Sequence, residues 1–179
     1  ASALAAAIAV NKELKLGISP KRLGMAAHAA EVKNRTGLGD VAGQFNGGFL
    51  IKYKKGAPLK AKRLGIKGSV YYRVFGNLDT KKVITSKEKE IKINKAGKRA
   101  LEQIKELKGK ELNLSNILII SKAFSIKSGL LKDKKVVKCI NEVENKKGNA
   151  TMIMLGKGVI SDKPFNGAKK LKISDRGIL

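Results

Sequence analysis

Apolar and polar positions change period along this chain, and the changes mark its elements. From Ala1 to Lys15, alanine, leucine, isoleucine and valine dominate, and polar residues gather only from Asn11 onward. Such residues favour a helix, which Gly17 is placed to close. Ser19 followed by Pro20 is a helix start, because a serine oxygen accepts a free amide of the first turn and proline already holds the φ that turn needs. Leu23, Met25, Ala26, Ala29 and Ala30 carry this second helix to about Lys33, so two helices are expected back to back. After Gly47-Gly48, the run Phe49, Leu50, Ile51, Tyr53 reads as a buried strand ended by Gly56-Ala57-Pro58, and Ser69 to Phe75 reads as another strand.

Beyond Asn77-Leu78-Asp79-Thr80 the texture changes. Ile91 to Leu107, Leu112 to Ile126 and, after Gly129, Leu131 to Val143 have helical spacing. Ala150 to Leu155 and Val159-Ile160 read as two strands joined by a Gly156-Lys157-Gly158 turn, an antiparallel hairpin. Helices flanking a small antiparallel sheet make an α+β arrangement. A boundary near Thr85 divides it into residues 1–84 and 85–179. No internal repeat is visible, and Lys52 to Lys67 is the most biased stretch.

Composition narrows the chemistry. The 179 residues suffice for one large domain or two small ones with a core. The formal net charge is +25, but only 6 of the 39 basic residues are arginine. Phosphate and base recognition favours the bidentate fork of arginine, so lysine spread along the chain is read as a solvated surface and no specific nucleic-acid partner is expected. Tyr53, Tyr71 and Tyr72 lie near basic residues, yet strand aromatics serve more often as core or cross-strand pairs. The single Cys139 has no disulfide partner and sits among apolar helical positions, which fits a reducing cytoplasm. The apolar opening is about half the length of a membrane span, so no membrane role is expected. Because the sequence opens at Ala1 inside a helical pattern, it is expected to be a piece of something longer. One cysteine and one histidine cannot fill a zinc site, and no Gly-x-Ser-x-Gly elbow suggests a serine hydrolase.

Two carboxylates then stand out. His28 and Glu31 are three residues apart on the second helix and share a face. Gly37 and Gly39 loosen the turn that follows, and Asp40 stands at its mouth. Phosphoryl transfer to a hydroxyl needs a proton acceptor near the attacking oxygen and magnesium on the phosphate oxygens. Asp40 suits the first task, and Glu31 suits a metal that takes one or two carboxylates. The same spacing also allows a plainer reading, with Asp40 capping a short helix, Glu31 an ordinary surface residue and His28 without a task. Spacing alone leaves both open.

The order of residues carries a resemblance. His28-Ala29-Ala30-Glu31-Val32, then Thr36-Gly37-Leu38-Gly39-Asp40-Val41-Ala42-Gly43-Gln44 and Gly47-Gly48, resembles the archaeal pantoate kinases of the galactokinase, homoserine, mevalonate and phosphomevalonate (GHMP) kinase superfamily. The similarity continues through Gly56-Ala57-Pro58, Gly76 to Thr80, Ala123-Phe124, Gly129-Leu130 and Met152 to Gly156, and so runs along essentially the whole sequence. It implies the remainder of a ribosomal-S5-like N-terminal domain followed by a ferredoxin-like C-terminal domain. The implied reaction phosphorylates pantoate with ATP and Mg2+, on the archaeal route to coenzyme A. Glu31 and Asp40 fall on the catalytic pair, with Glu31 toward the metal. His28, Lys52 and Thr80 fall on substrate contacts, with Gly37 and Gly39 in the backbone turn. Lys52 stands where the family has arginine, which keeps the charge and loses the fork. Ala1-Ser2-Ala3 matches the tail of the glycine- and serine-rich phosphate loop. Oligomeric state stays open, a homodimer included. The chief alternatives are another small-molecule kinase of the superfamily, acting on mevalonate or homoserine, and a basic nucleic-acid-binding protein.

Overall fold

A computed structural model describes residues 2–34, 40–53, 59–77, 87–153, 156–174 and 176–177. Its contacts divide the chain into two compact units, Ala1–Lys67 with Ile173–Leu179, and Gly68–Lys172. The contact division falls ahead of residue 85 because the strand starting at Ser69 pairs with strands near the C-terminus; residue 85 itself lies outside the described residues.

The first unit is helical at its start. Helix α1 (Ser2–Glu13) and helix α2 (Pro20–Asn34) form the expected pair. Between them Gly17 adopts φ +65°, the left-handed backbone that glycine takes without strain. Asn11 holds this turn from within α1: its amide nitrogen donates to the Ile18 carbonyl at 3.2 Å, and its oxygen accepts the Ile18 amide at 2.9 Å. Helix α3 (Asp40–Asn46) packs on α2, and Leu4, Leu23, Ala27 and Val41 bury a common core. Each aliphatic side chain fully buried in such a cluster contributes roughly 1.5–3 kcal/mol. A short antiparallel pair follows, β1 (Leu50–Ile51) with β2 (Lys62–Arg63). The charged Lys62-Arg63 pair has no strand signature, and pairing to Leu50-Ile51 makes it one.

In the second unit a four-stranded antiparallel sheet has the order β4-β5-β3-β6, from β3 (Ser69–Asn77), β4 (Ala150–Met152), β5 (Gly156–Ser161) and β6 (Lys169–Lys172). The helices are α4 (Lys87–Glu106), α5 (Leu114–Lys127) and α6 (Lys134–Asn145), with a 3-10 turn at Gly109–Glu111. Helix α6 shows why helical spacing specifies a buried stripe: Val136, Cys139, Ile140 and Val143 lie at helical intervals. They form a core with Ala150, Met152, Val159 and Phe165. Strand alternation sends Thr151 to the opposite side from Ala150 and Met152, where its hydroxyl lies 3.3 Å from Ser125 of α5.

The expected hairpin is present, but its turn is not at Gly156-Lys157-Gly158. Those residues belong to β5, where Met152 faces Val159 and Ala150 faces Ser161. The Gly158 carbonyl accepts the Ile153 amide at 2.9 Å, which continues that pairing by one residue on each strand. Gly158 is needed in the strand because a Cβ there would stand 2.9 Å from the Arg73 carbonyl oxygen of β3.

Candidate active site

Helix α2 carries both His28 and Glu31. Its inner side is fixed by Leu23 and Ala27 against α1 and α3, and at Gly24 an added Cβ would meet the Phe45 and Leu59 side chains at 3.0 and 3.1 Å. That close packing sets the depth of the residues one and two turns further on. Glu31 is buried, with 6% of its surface exposed, and His28 is half-buried. An ordinary surface glutamate is therefore ruled out as the description of Glu31. Burying a carboxylate on a helix face is costly unless its oxygens are engaged.

Asp40 opens α3 as the acid of its first turn and is exposed. Val41, next to it, is fully buried in the cluster shared with α2, so the start of α3 is anchored against the helix that carries Glu31. Lys52 directly follows β1 and is half-buried. All four residues belong to the first unit. Gly37, Gly39 and Thr80 lie outside the described residues.

The segment between α3 and β1 is tightly specified. Gly47 and Gly48 both have left-handed backbone, φ +64° and +77°, as the glycine pair ahead of the strand suggests. A Cβ at Gly47 would fall 2.3 Å from the Arg176 carbonyl carbon, and the Gly48 amide donates to the Ser174 carbonyl at 2.5 Å. Asn46 donates to the carbonyls of Ala42 and Leu59, both at 2.9 Å. It ties the end of α3 to the loop ahead of β2, a role that no local pattern in the sequence announces.

Among the described residues, no three His, Cys, Asp or Glu side chains gather into a metal-binding group. No helix there is long and apolar enough to cross a membrane.

No family model matches the chain. Three curated pantoate kinases are similar to it. That of Methanocaldococcus jannaschii is 34% identical over 110 residues, covering 60% of this chain and 39% of the relative. The enzyme of Thermococcus kodakarensis is 31% identical over 170 residues, 88% of this chain and 52% of the relative. That of Methanospirillum hungatei is 27% identical over 177 residues, 94% and 58%. A solved structure described as a phosphotransferase related to the CoA biosynthesis pathway superposes with a TM-score of 0.71 at 30% identity, covering 88% of this chain and 50% of that one. The chain spans 39–58% of the length of these curated relatives and half of the solved structure. Over the stretch that it spans, this chain is similar to the pantoate kinases.

Proposed function

We propose that the native protein carrying this chain transfers the γ-phosphoryl group of ATP to the primary hydroxyl of pantoate, in the cytoplasm, on the route to coenzyme A. The observation that carries the reading is a buried glutamate, Glu31, on a helix packed against the one that starts at Asp40, in a chain similar to pantoate kinases. We assign residues 1–84 to the remainder of a ribosomal-S5-like domain and 85–179 to a ferredoxin-like domain of the GHMP kinase fold. Strands β4, β5 and β6 with helices α4 to α6 fall within the second stretch, while β3, the strand between β5 and β6, falls at the end of the first.

Asp40 accepts the proton of the attacking hydroxyl. Its exposure leaves it open to an incoming substrate, and a carboxylate oxygen within reach of the hydroxyl can take its proton. His28, Lys52 and Thr80 hold the substrate, with the cationic Lys52 paired to its carboxylate. Gly37 and Gly39 let the backbone of the intervening turn come close to it. Mg2+ fits Glu31, a hard oxygen donor on a helix held by close packing, because that ion takes one or two carboxylates and completes its shell with water and phosphate oxygens. When bound, it neutralises charge on the transferring phosphoryl group. The resemblance of Ala1-Ser2-Ala3 to the tail of the phosphate loop assigns the nucleotide phosphates to the loop that leads into α1, because helix starts favour anions.

Phosphorus-31 NMR of the native protein with ATP, magnesium and pantoate tests the reading. A phosphate monoester resonance that grows only when pantoate is present is expected. ATP consumption without a monoester of pantoate would overturn it.

A further inference from the structure

The second unit holds a cavity whose lining includes none of the residues assigned above to phosphoryl transfer. Its volume is ≈ 360 Å³, and it lies between the start of α4, the α5–α6 connection and the start of β5. The floor is apolar, formed by Leu130, Leu131, Val136 and Met152, of which the last two are buried at 1% and 6% exposure. The rim is cationic, with Lys89, Lys92, Lys132 and Lys157 against two carboxylates, Glu88 and Asp133.

Both carboxylates are already engaged. Glu88 accepts from the Lys92 ammonium at 2.7 Å. Asp133 caps α6, its Oδ1 accepting the amides of Lys135 and Val136 at 2.9 and 3.2 Å, while its Oδ2 lies 3.8 Å from the Lys157 ammonium. Even with both acids counted, the rim carries two more ammonium than carboxylate groups. Lys132 is exposed at the edge of the apolar floor. A cation-rimmed apolar cavity disfavours cations and gives little to a bare inorganic anion, whose hydration exposed ammonium groups do not replace. It favours a molecule with both features.

We propose that this cavity binds a small organic anion, a carboxylate or phosphate monoester with an apolar body, with the head at Lys132 and Lys157 and the body on Leu131, Val136 and Met152. The site lies wholly within the second unit and does not depend on the kinase reading.

Octanoate and hexyl phosphate are the probes for the two head groups, with acetate and inorganic phosphate as the corresponding bare anions. Each is titrated into the native protein at fixed ionic strength while amide chemical shifts are followed. Saturable shifts of Gly129, Lys132 and Gly156 are expected with at least one of the long probes, at least about tenfold tighter than with its bare counterpart. Lys132→Glu should weaken that binding several-fold. Lys172→Glu, the same charge change on exposed β6, should leave it nearly unaltered. The proposal is overturned if neither long probe saturates, if the bare anions bind as well, or if Lys172→Glu weakens binding as much as Lys132→Glu.

Discussion

Glu31 and Asp40 differ in setting as well as in proposed task, so their conservative amides should fail in different ways. Asp40 is exposed at the head of α3, and Asp40→Asn keeps its shape and its aptitude for a helix start while removing the proton acceptor. Turnover by the native protein should fall by roughly two or more orders of magnitude with pantoate binding largely kept. If Glu31 holds the metal as proposed, Glu31→Gln replaces a hard carboxyl donor with a neutral amide in a buried position, so its loss should be partly rescued at high magnesium. Steady-state kinetics across a magnesium series separates the two, and near-normal turnover in both variants would defeat the assignment. A third acid, Asp162, works for the fold. Burial pushes its pKa up, but the Asn149 amide at 2.7 Å, the Asn149 side chain at 2.9 Å and the Ser115 hydroxyl at 2.7 Å outweigh that and hold it below the ordinary value. A depressed folded pKa gives stability that is complete above the unfolded value, about 4, and is lost as pH falls through the folded one. In urea unfolding, the advantage of the wild type over Asp162→Asn should be flat above about pH 5 and should shrink steadily below about pH 4. An advantage that persists unchanged into that acid range would contradict this.

Caps and pairing, more than propensity, decide where the elements end. Asp133 accepts two amides of the first turn of α6, and the four apolar residues of that helix supply half of the core cluster of the second unit. Asp133→Ala should therefore lower stability by about 1 kcal/mol, whereas Asp133→Asn, itself a good cap, should cost much less. Chemical denaturation of the two variants makes the comparison, and equal losses would assign the effect to the Lys157 contact instead. The same physics explains what the chain discloses in advance. The helices α1, α2 and α6 and the strand β3 were legible because apolar period, Gly17 and the Ser19-Pro20 start agree. The hairpin turn was misplaced because Gly156 and Gly158 look like turn residues, while the true demand on Gly158 is the approach of β3. Neither β2 nor β6 could be read, since Lys62-Arg63 and Lys169 to Lys172 become strands only through partners far along the chain. At the candidate site, the spacing of His28, Glu31 and Asp40 was visible. The burial of Glu31 was not, because it follows from α1 and α3 packing on α2.

At the scale of the whole molecule, two units of different build share one strongly cationic chain. The first is a helical layer with a short strand pair and carries the described candidate catalytic residues, and the second is a sheet with helices on it and carries the cation-rimmed cavity. Lysine is also used structurally: three of the four residues of β6, the outer strand beside β3, are exposed lysines, which discourages pairing with another sheet. The central claim is that the native protein is a pantoate kinase, and the measurement that bears on it most directly is acceptor selectivity. Release of ADP is followed with pantoate, mevalonate and homoserine at matched concentrations, and kcat/KM is compared. The account predicts that pantoate is preferred by at least about two orders of magnitude, since a site that pairs a carboxylate and hydrogen-bonds a hydroxyl penalises molecules that present these groups differently. A higher kcat/KM for mevalonate or homoserine than for pantoate would contradict it.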